Sequence, residues 1–194
     1  MGLDLKGVDL PLGLNVWYAL GLSHVLGSGS VPYPSGSFET SNLSRTSGFP
    51  EPWSRILQQY HPPCATVWTY WQLPCDLATK HPSPRKQLFR NIRTSLGWPE
   101  TEVVFWPVSA EGPQRLQART DLFWQGMAHF QPRYVILFGW RVFRELFPRM
   151  EGSKYGLFKH SQITYIFLPG PEDMLPDQKQ AKNFVWTTLK AITL

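Results

Sequence analysis

The stretch Tyr134–Phe138 constrains this chain more than any other. Five apolar residues in a row, Tyr-Val-Ile-Leu-Phe, stop at Gly139. A strand with one wet face would alternate apolar and polar residues; a short unbroken run reads as a strand buried on both faces. Gly139 permits a tight turn, the segment Arg141–Phe147 is amphipathic, and Pro148 stops it as a helix. A strand covered on both sides needs helices and neighbouring strands, and the flanking sequence has to supply them.

Three more segments read as strands because they are dense in β-branched and aromatic residues: Cys64–Leu73, Glu102–Val108 and Ile163–Leu168. Helices are expected between and after them. Trp53–Tyr60 precedes the first strand. Arg85–Leu96 carries Leu88, Phe89, Ile92 and Leu96 on one face and is ended by Gly97. Thr120 is suited to cap a helix carrying Phe123, Met127 and Phe130, with Pro132 closing it. A last helix runs from about Asp177 to Ile192 and buries Ala181, Val185, Leu189 and Ile192. Cys75–Pro84, the ten or so residues after Val108, and Pro169–Pro176 read as loops. Glu151–His160 reads as a hairpin or a long loop. Strand then helix, four times over, predicts an α/β fold: a three-layer α/β/α sandwich around a short four-stranded parallel sheet with right-handed crossovers.

Upstream, residues 1–26 space Leu14, Trp17, Tyr18, Leu22 and Val25 at helical intervals. Residues 27–52 are rich in Gly, Ser and Pro and read as a linker or long loop, leaving 53–194 as the main domain. An amphipathic helix ahead of such a linker has two readings. It folds back on the domain to bury its apolar face, or it docks on a partner protein.

With 194 residues, 42% hydrophobic and 14% aromatic, the chain can build a sizeable core. No apolar run reaches the roughly 18 residues of a membrane span, and the first residues lack a signal-peptide layout, so a cytoplasmic protein with no membrane partner is expected. Two cysteines make no disulfide framework and no four-ligand metal site, and the histidines show no ligand spacing; no metal and no cofactor is expected. Phosphate-cradling glycine motifs and nucleophile elbows are missing from the strand ends. The net charge of +5 is unevenly spread: between Asp76 and Glu100 there is no acid, while Lys80, Arg85, Lys86, Arg90 and Arg93 are all present. Such a patch is either a solvated helix face or a phosphate-binding surface.

In parallel sheets the ligand crevice lies beyond the carboxyl ends of the strands. Here those ends carry Trp71-Gln72-Leu73-Pro74-Cys75-Asp76, then Pro107, Phe138-Gly139, and Leu168-Pro169-Gly170-Pro171 followed by Asp173-Met174-Leu175. Over residues 64–192 this series resembles the uracil-DNA glycosylase superfamily in order, spacing and loop character. Gln72 and Pro74 fit that family's water-activating motif and Phe138-Gly139 its Leu-Gly turn; Leu168-Pro169-Gly170-Pro171, followed by Asp173-Met174-Leu175, resembles its His-Pro-Ser motif and minor-groove wedge, and Trp186 suits its closing helix. The resemblance also marks what is gone. Leu73 stands where the family has its water-activating aspartate, Pro107 near its uracil-reading asparagine, and Leu168 in place of its histidine.

Glycosidic cleavage needs a carboxylate and a donor to the developing oxyanion, and reading a flipped base needs an amide edge. Leucine and proline supply none of these, so the resemblance implies a catalytically degenerate member that binds DNA or acts as an adaptor in replication or repair. One branch of the superfamily without catalytic residues, the psi subunit of bacterial DNA polymerase III, is similar in plan, with an N-terminal docking segment ahead of the fold. Lys80, Arg85, Lys86, Arg90 and Arg93, with Trp140 and Arg141 at the crevice, are the expected DNA contacts. Asp76 and Glu172 are the carboxylates that an active, base-excising alternative would use. The third alternative is a protein-interaction module docking on a replication or repair protein through residues 1–26.

Overall fold

The computed structural model describes residues 48–150, 156–160 and 162–194. The helix expected in 1–26 and most of the linker expected in 27–52 lie outside the described residues. At the linker's end, Phe49 packs edge-on against Trp106, with ring centroids 6.0 Å apart.

Helix α1 (Trp53–Gln59) leads to strand β1 (Thr66–Tyr70) and a short helix α2 (Leu73–Ala78). Helix α3 (Pro84–Leu96) follows, then β2 (Val103–Phe105) and a small hairpin, β3 (Ser109–Glu111) and β4 (Leu116–Ala118). Helix α4 (Thr120–Phe130) precedes β5 (Tyr134–Phe138) and α5 (Trp140–Leu146). The chain ends with β6 (Gly156–His160), β7 (Ile163–Leu168), α6 (Pro171–Met174) and α7 (Lys179–Lys190).

The main sheet has five strands in the order β2-β1-β5-β7-β6. The four expected strands are mutually parallel, and β5 pairs along its whole length with both β1 and β7. The fifth strand corrects the four-stranded expectation. β6 turns back antiparallel on β7, with His160 opposite Ile163. It was hidden because Lys159 and His160 make the segment look polar, while Phe158 is buried. Two short helices also occupy expected loops. Pro74 and Pro171 each sit in the first turn of one, where a missing N–H costs nothing. Thr120 does not cap α4. The helix starts at Thr120 itself, and Arg119 binds the Asp121 carboxylate through two hydrogen bonds of 3.0 and 2.9 Å.

Strand residues alternate between two cores. Val67, Val104, Val135, Leu137, Tyr165 and Phe167 join residues of α1, α4 and α5. Trp68, Tyr70, Val103, Ile136, Phe138, Ile166 and Leu168 join residues of α3 and α7. Trp68 is fully buried in this second core, ringed edge-on by Phe89, Trp98, Phe105 and Phe138 at 5.4–6.2 Å. The step from β1 to its neighbour β2 passes through α3, in the second core. The steps in the opposite direction, β2 to β5 and β5 to β7, pass through α4 and α5 in the first. A single hand of crossover requires this alternation. The direction therefore reverses between β1 and β5, the switch point at which open α/β sheets place ligands. Among the described residues no helix is long and apolar enough to cross a membrane.

Candidate functional site at the strand ends

Trp71 and Gln72 follow β1, and Gly139, Trp140 and Arg141 follow β5. The Arg141 guanidinium lies over the Trp71 ring, 3.8 Å from its centroid, and so bridges the two strands at the switch point. At this distance a cation and an aromatic face attract. Trp140 is exposed at 38% and stacks on Phe143 with centroids 5.4 Å apart. Phe143 in turn stacks on Phe167 at 4.7 Å. The stack ends at the surface in Trp140, a shelf of one exposed ring, and the next residue, Arg141, is exposed too.

Gly139 makes the corner. Its φ of 97° lies where side chains are strained, and its N–H donates to the Leu168 carbonyl at 2.9 Å, tying β5 to β7. A Cβ at Gly139 would lie 2.7 Å from Oε1 of Glu172. Glu172 is exposed as a residue, yet its carboxyl lies against the backbone of Gly139 and Gly170. That loss of solvent raises its pKa above the ordinary carboxylate value; neighbouring Asp173 adds to the rise and Arg85 opposes it. Glu172 thus sits beside the carboxyl ends of β5 and β7.

Asp76, the other candidate carboxylate, is buried and fully engaged. Arg85 donates from Nε and Nη2 at 2.8 and 3.0 Å, Tyr70 from its hydroxyl at 2.9 Å, and Ser83 from Oγ at 3.0 Å. Each carboxylate oxygen accepts two bonds, and little capacity remains to orient a water. Ser83 also caps α3 by accepting from the Lys86 N–H, so one carboxylate joins the end of β1, α2 and the start of α3. Burial and the adjoining Asp76 push the Tyr70 hydroxyl well above its ordinary pKa and keep it a donor.

The other expected crevice positions divide. Leu73 and Leu168 are buried in the second core. Pro107 is buried, and its carbonyl accepts from the Trp53 indole at 3.1 Å. Pro74 and Pro169 are buried as well. Gln72 remains at the crevice, with its Oε1 buried and unpartnered. The basic set divides too. Arg85 is held by Asp76, Arg93 pairs with Glu100, and Lys86 Nζ donates to the carbonyls of Thr79 (2.8 Å) and His81 (3.3 Å). Lys80 and Arg90 are exposed.

Sequence reasoning missed the roles of Trp71, whose partner Arg141 is the second residue of α5 and follows a different strand, and of Ser83. The Ser83-Pro84 pair was a readable signal, since serine at a cap followed by proline at the first helical position starts many helices. Among the described residues no cluster of three or more His, Cys, Asp or Glu could hold a metal ion. The sequence matches no family model and no curated protein.

Proposed function

We propose that the chain is a uracil-DNA glycosylase-like α/β/α domain that has lost base excision and is kept for DNA binding, in an adaptor role in replication or repair. The observation that carries this reading is the arrangement at the switch point. The buried carboxylate is consumed by Arg85, while an exposed tryptophan and an arginine that pairs with no acid among the described residues stand at the strand ends. An aromatic face takes any nucleobase by stacking, and a guanidinium beside it takes a phosphate. The two cores on opposite sides of the sheet support the layered architecture that the resemblance implies.

The test is binding to single- and double-stranded oligonucleotides at two salt concentrations, with and without Arg141→Ala. Salt-sensitive binding that loses affinity and about one unit of salt slope in the variant is the expected result. Affinity that ignores both salt and Arg141 would overturn it.

One observation favours a second reading, an active excising enzyme. Glu172 places a carboxyl of raised pKa beside the strand ends, as a general acid or base would need. Excision of uracil, hypoxanthine or xanthine that disappears in Glu172→Gln would establish that reading and remove the first.

A further inference from the structure

Beneath α3, away from the strand-end shelf, a cavity of about 200 Å³ opens between α3 and the β1–β2 edge of the sheet. Its floor is made of Leu73, Leu77, Phe89 and Phe105, and Lys86 and Arg90 stand on its rim. Arg93 and Glu100 also border it but neutralise one another, and Asp76 is neutralised by Arg85. Lys86 touches only backbone carbonyls, and neither it nor Arg90 is ion-paired among the described residues. Two uncompensated cations therefore overlook an apolar hole.

The size of the hole selects the ligand. Pockets that enclose whole small molecules span roughly 300–1,000 Å³. This one is smaller and holds a single side chain of something that stays mostly outside. The polar groups at its edge select further. The Tyr70 hydroxyl and both Asp76 oxygens are already committed to each other and to Arg85 and Ser83. A nucleobase buried there would leave its donors and acceptors unpaired, which costs more than the apolar contact returns. A hydrocarbon side chain has no such cost.

We infer that this cavity is a docking site for an acidic peptide segment of a partner protein. One aromatic or leucine side chain of the segment fills the hole, and its flanking carboxylates meet Lys86 and Arg90. Among the described residues neither Lys86 nor Arg90 has an acid of its own, so this part of the rim is complementary to carboxylates. Lys86 and Arg90 also belong to the basic set expected to contact DNA, but the proposed DNA reading is carried by Trp140 and Arg141.

The test is an NMR titration of the full chain with a synthetic hexapeptide of aspartates and glutamates carrying one phenylalanine. Saturable shifts at Leu77, Phe89 and Phe105 are expected. Binding should weaken about tenfold or more when the peptide's phenylalanine becomes alanine, and similarly in Arg90→Glu, an exposed position that leaves the fold intact. A lysine-for-acid version of the peptide should gain affinity for Arg90→Glu. No saturable shifts at the cavity, or affinity indifferent to Arg90, would overturn the inference. So would an oligothymidylate that shifts the same cavity residues; shifts by that probe at Trp140 and Arg141 alone would leave it intact and bear on the DNA reading only.

Discussion

Arg85 grips Asp76 with two parallel hydrogen bonds, of 2.8 and 3.0 Å, across the junction where β1, α2 and α3 meet. The carboxylate that the sequence offers for water activation is thus a structural fastener. Paired forks of this kind are among the stronger charge-assisted contacts.

The first prediction follows from that pairing. Asp76→Ala should destabilise the fold by about 3 kcal/mol, the lower end of the cost of breaking a buried ion pair, because Arg85 keeps partial contact with water. Asp76→Asn should cost less, since one amide oxygen still accepts from Tyr70 or Ser83. Urea unfolding of the two variants measures both, and equal losses would show that the charge, not the bond pattern, is what matters.

Gly139→Ala should cost about 1–3 kcal/mol, because a φ of 97° is a region that only glycine occupies comfortably. The atom that an added Cβ meets, Oε1 of Glu172, is the end of a flexible side chain that can swing aside. Adding Glu172→Ala to Gly139→Ala should therefore recover little stability. Full recovery in the double variant would locate the cost in the contact instead of the backbone.

The strands were legible because burial on both faces leaves one strong signature, an unbroken apolar run, and Tyr134–Phe138 carries it. Gly97 was legible for a similar reason: its left-handed φ of 69° ends α3. What escaped was set by partners distant in sequence. The polar look of Lys159 and His160 hid an edge strand whose buried residue is Phe158. Asp76 read as a free carboxylate because nothing local announces that Tyr70, Ser83 and Arg85 converge on it. The cation–π pair of Trp71 and Arg141 joins two strands whose adjacency only the sheet order reveals.

Thiol chemistry gives a third check. Burial pushes the Cys64 thiol up to about 12, so at pH 8 almost none of it is thiolate. Cys75 is also raised, by burial first and then by Glu111, but it is partly exposed. Iodoacetamide should label Cys75 slowly in the native protein and Cys64 only on unfolding, as read by peptide mass spectrometry. Rapid labelling of Cys64 would mean that β1's leading end opens readily.

Glu172 should make stability fall as pH rises. Its folded pKa lies above its unfolded value, so folding disfavours its ionisation. The penalty is zero while both states are protonated, below about pH 4, and complete once pH exceeds the folded pKa. Glu172→Gln should therefore raise the Tm at pH 7 relative to the parent, and the difference should shrink as pH drops toward 4. A difference that does not change with pH would mean that the carboxyl ionises freely and is not confined between Gly139 and Gly170.

Trp140 separates the stacking contribution from the charge contribution at the crevice. Its ring rests on Phe143 and Phe167, yet 38% of the residue is exposed, so truncation should disturb the crevice more than the core. If bases stack there, Trp140→Ala should weaken single-strand binding by about 1–3 kcal/mol, while Trp140→Phe, which keeps a π face, should lose less. Salt slope should stay constant in both, since no phosphate contact is removed, in contrast to Arg141→Ala. Tryptophan fluorescence quenching on titration with oligothymidylate reads the contact directly, and its persistence in Trp140→Ala would place the bases elsewhere. Equal affinity of Trp140→Ala and the parent would remove the shelf from the DNA-binding proposal and leave Arg141 as a purely electrostatic contact.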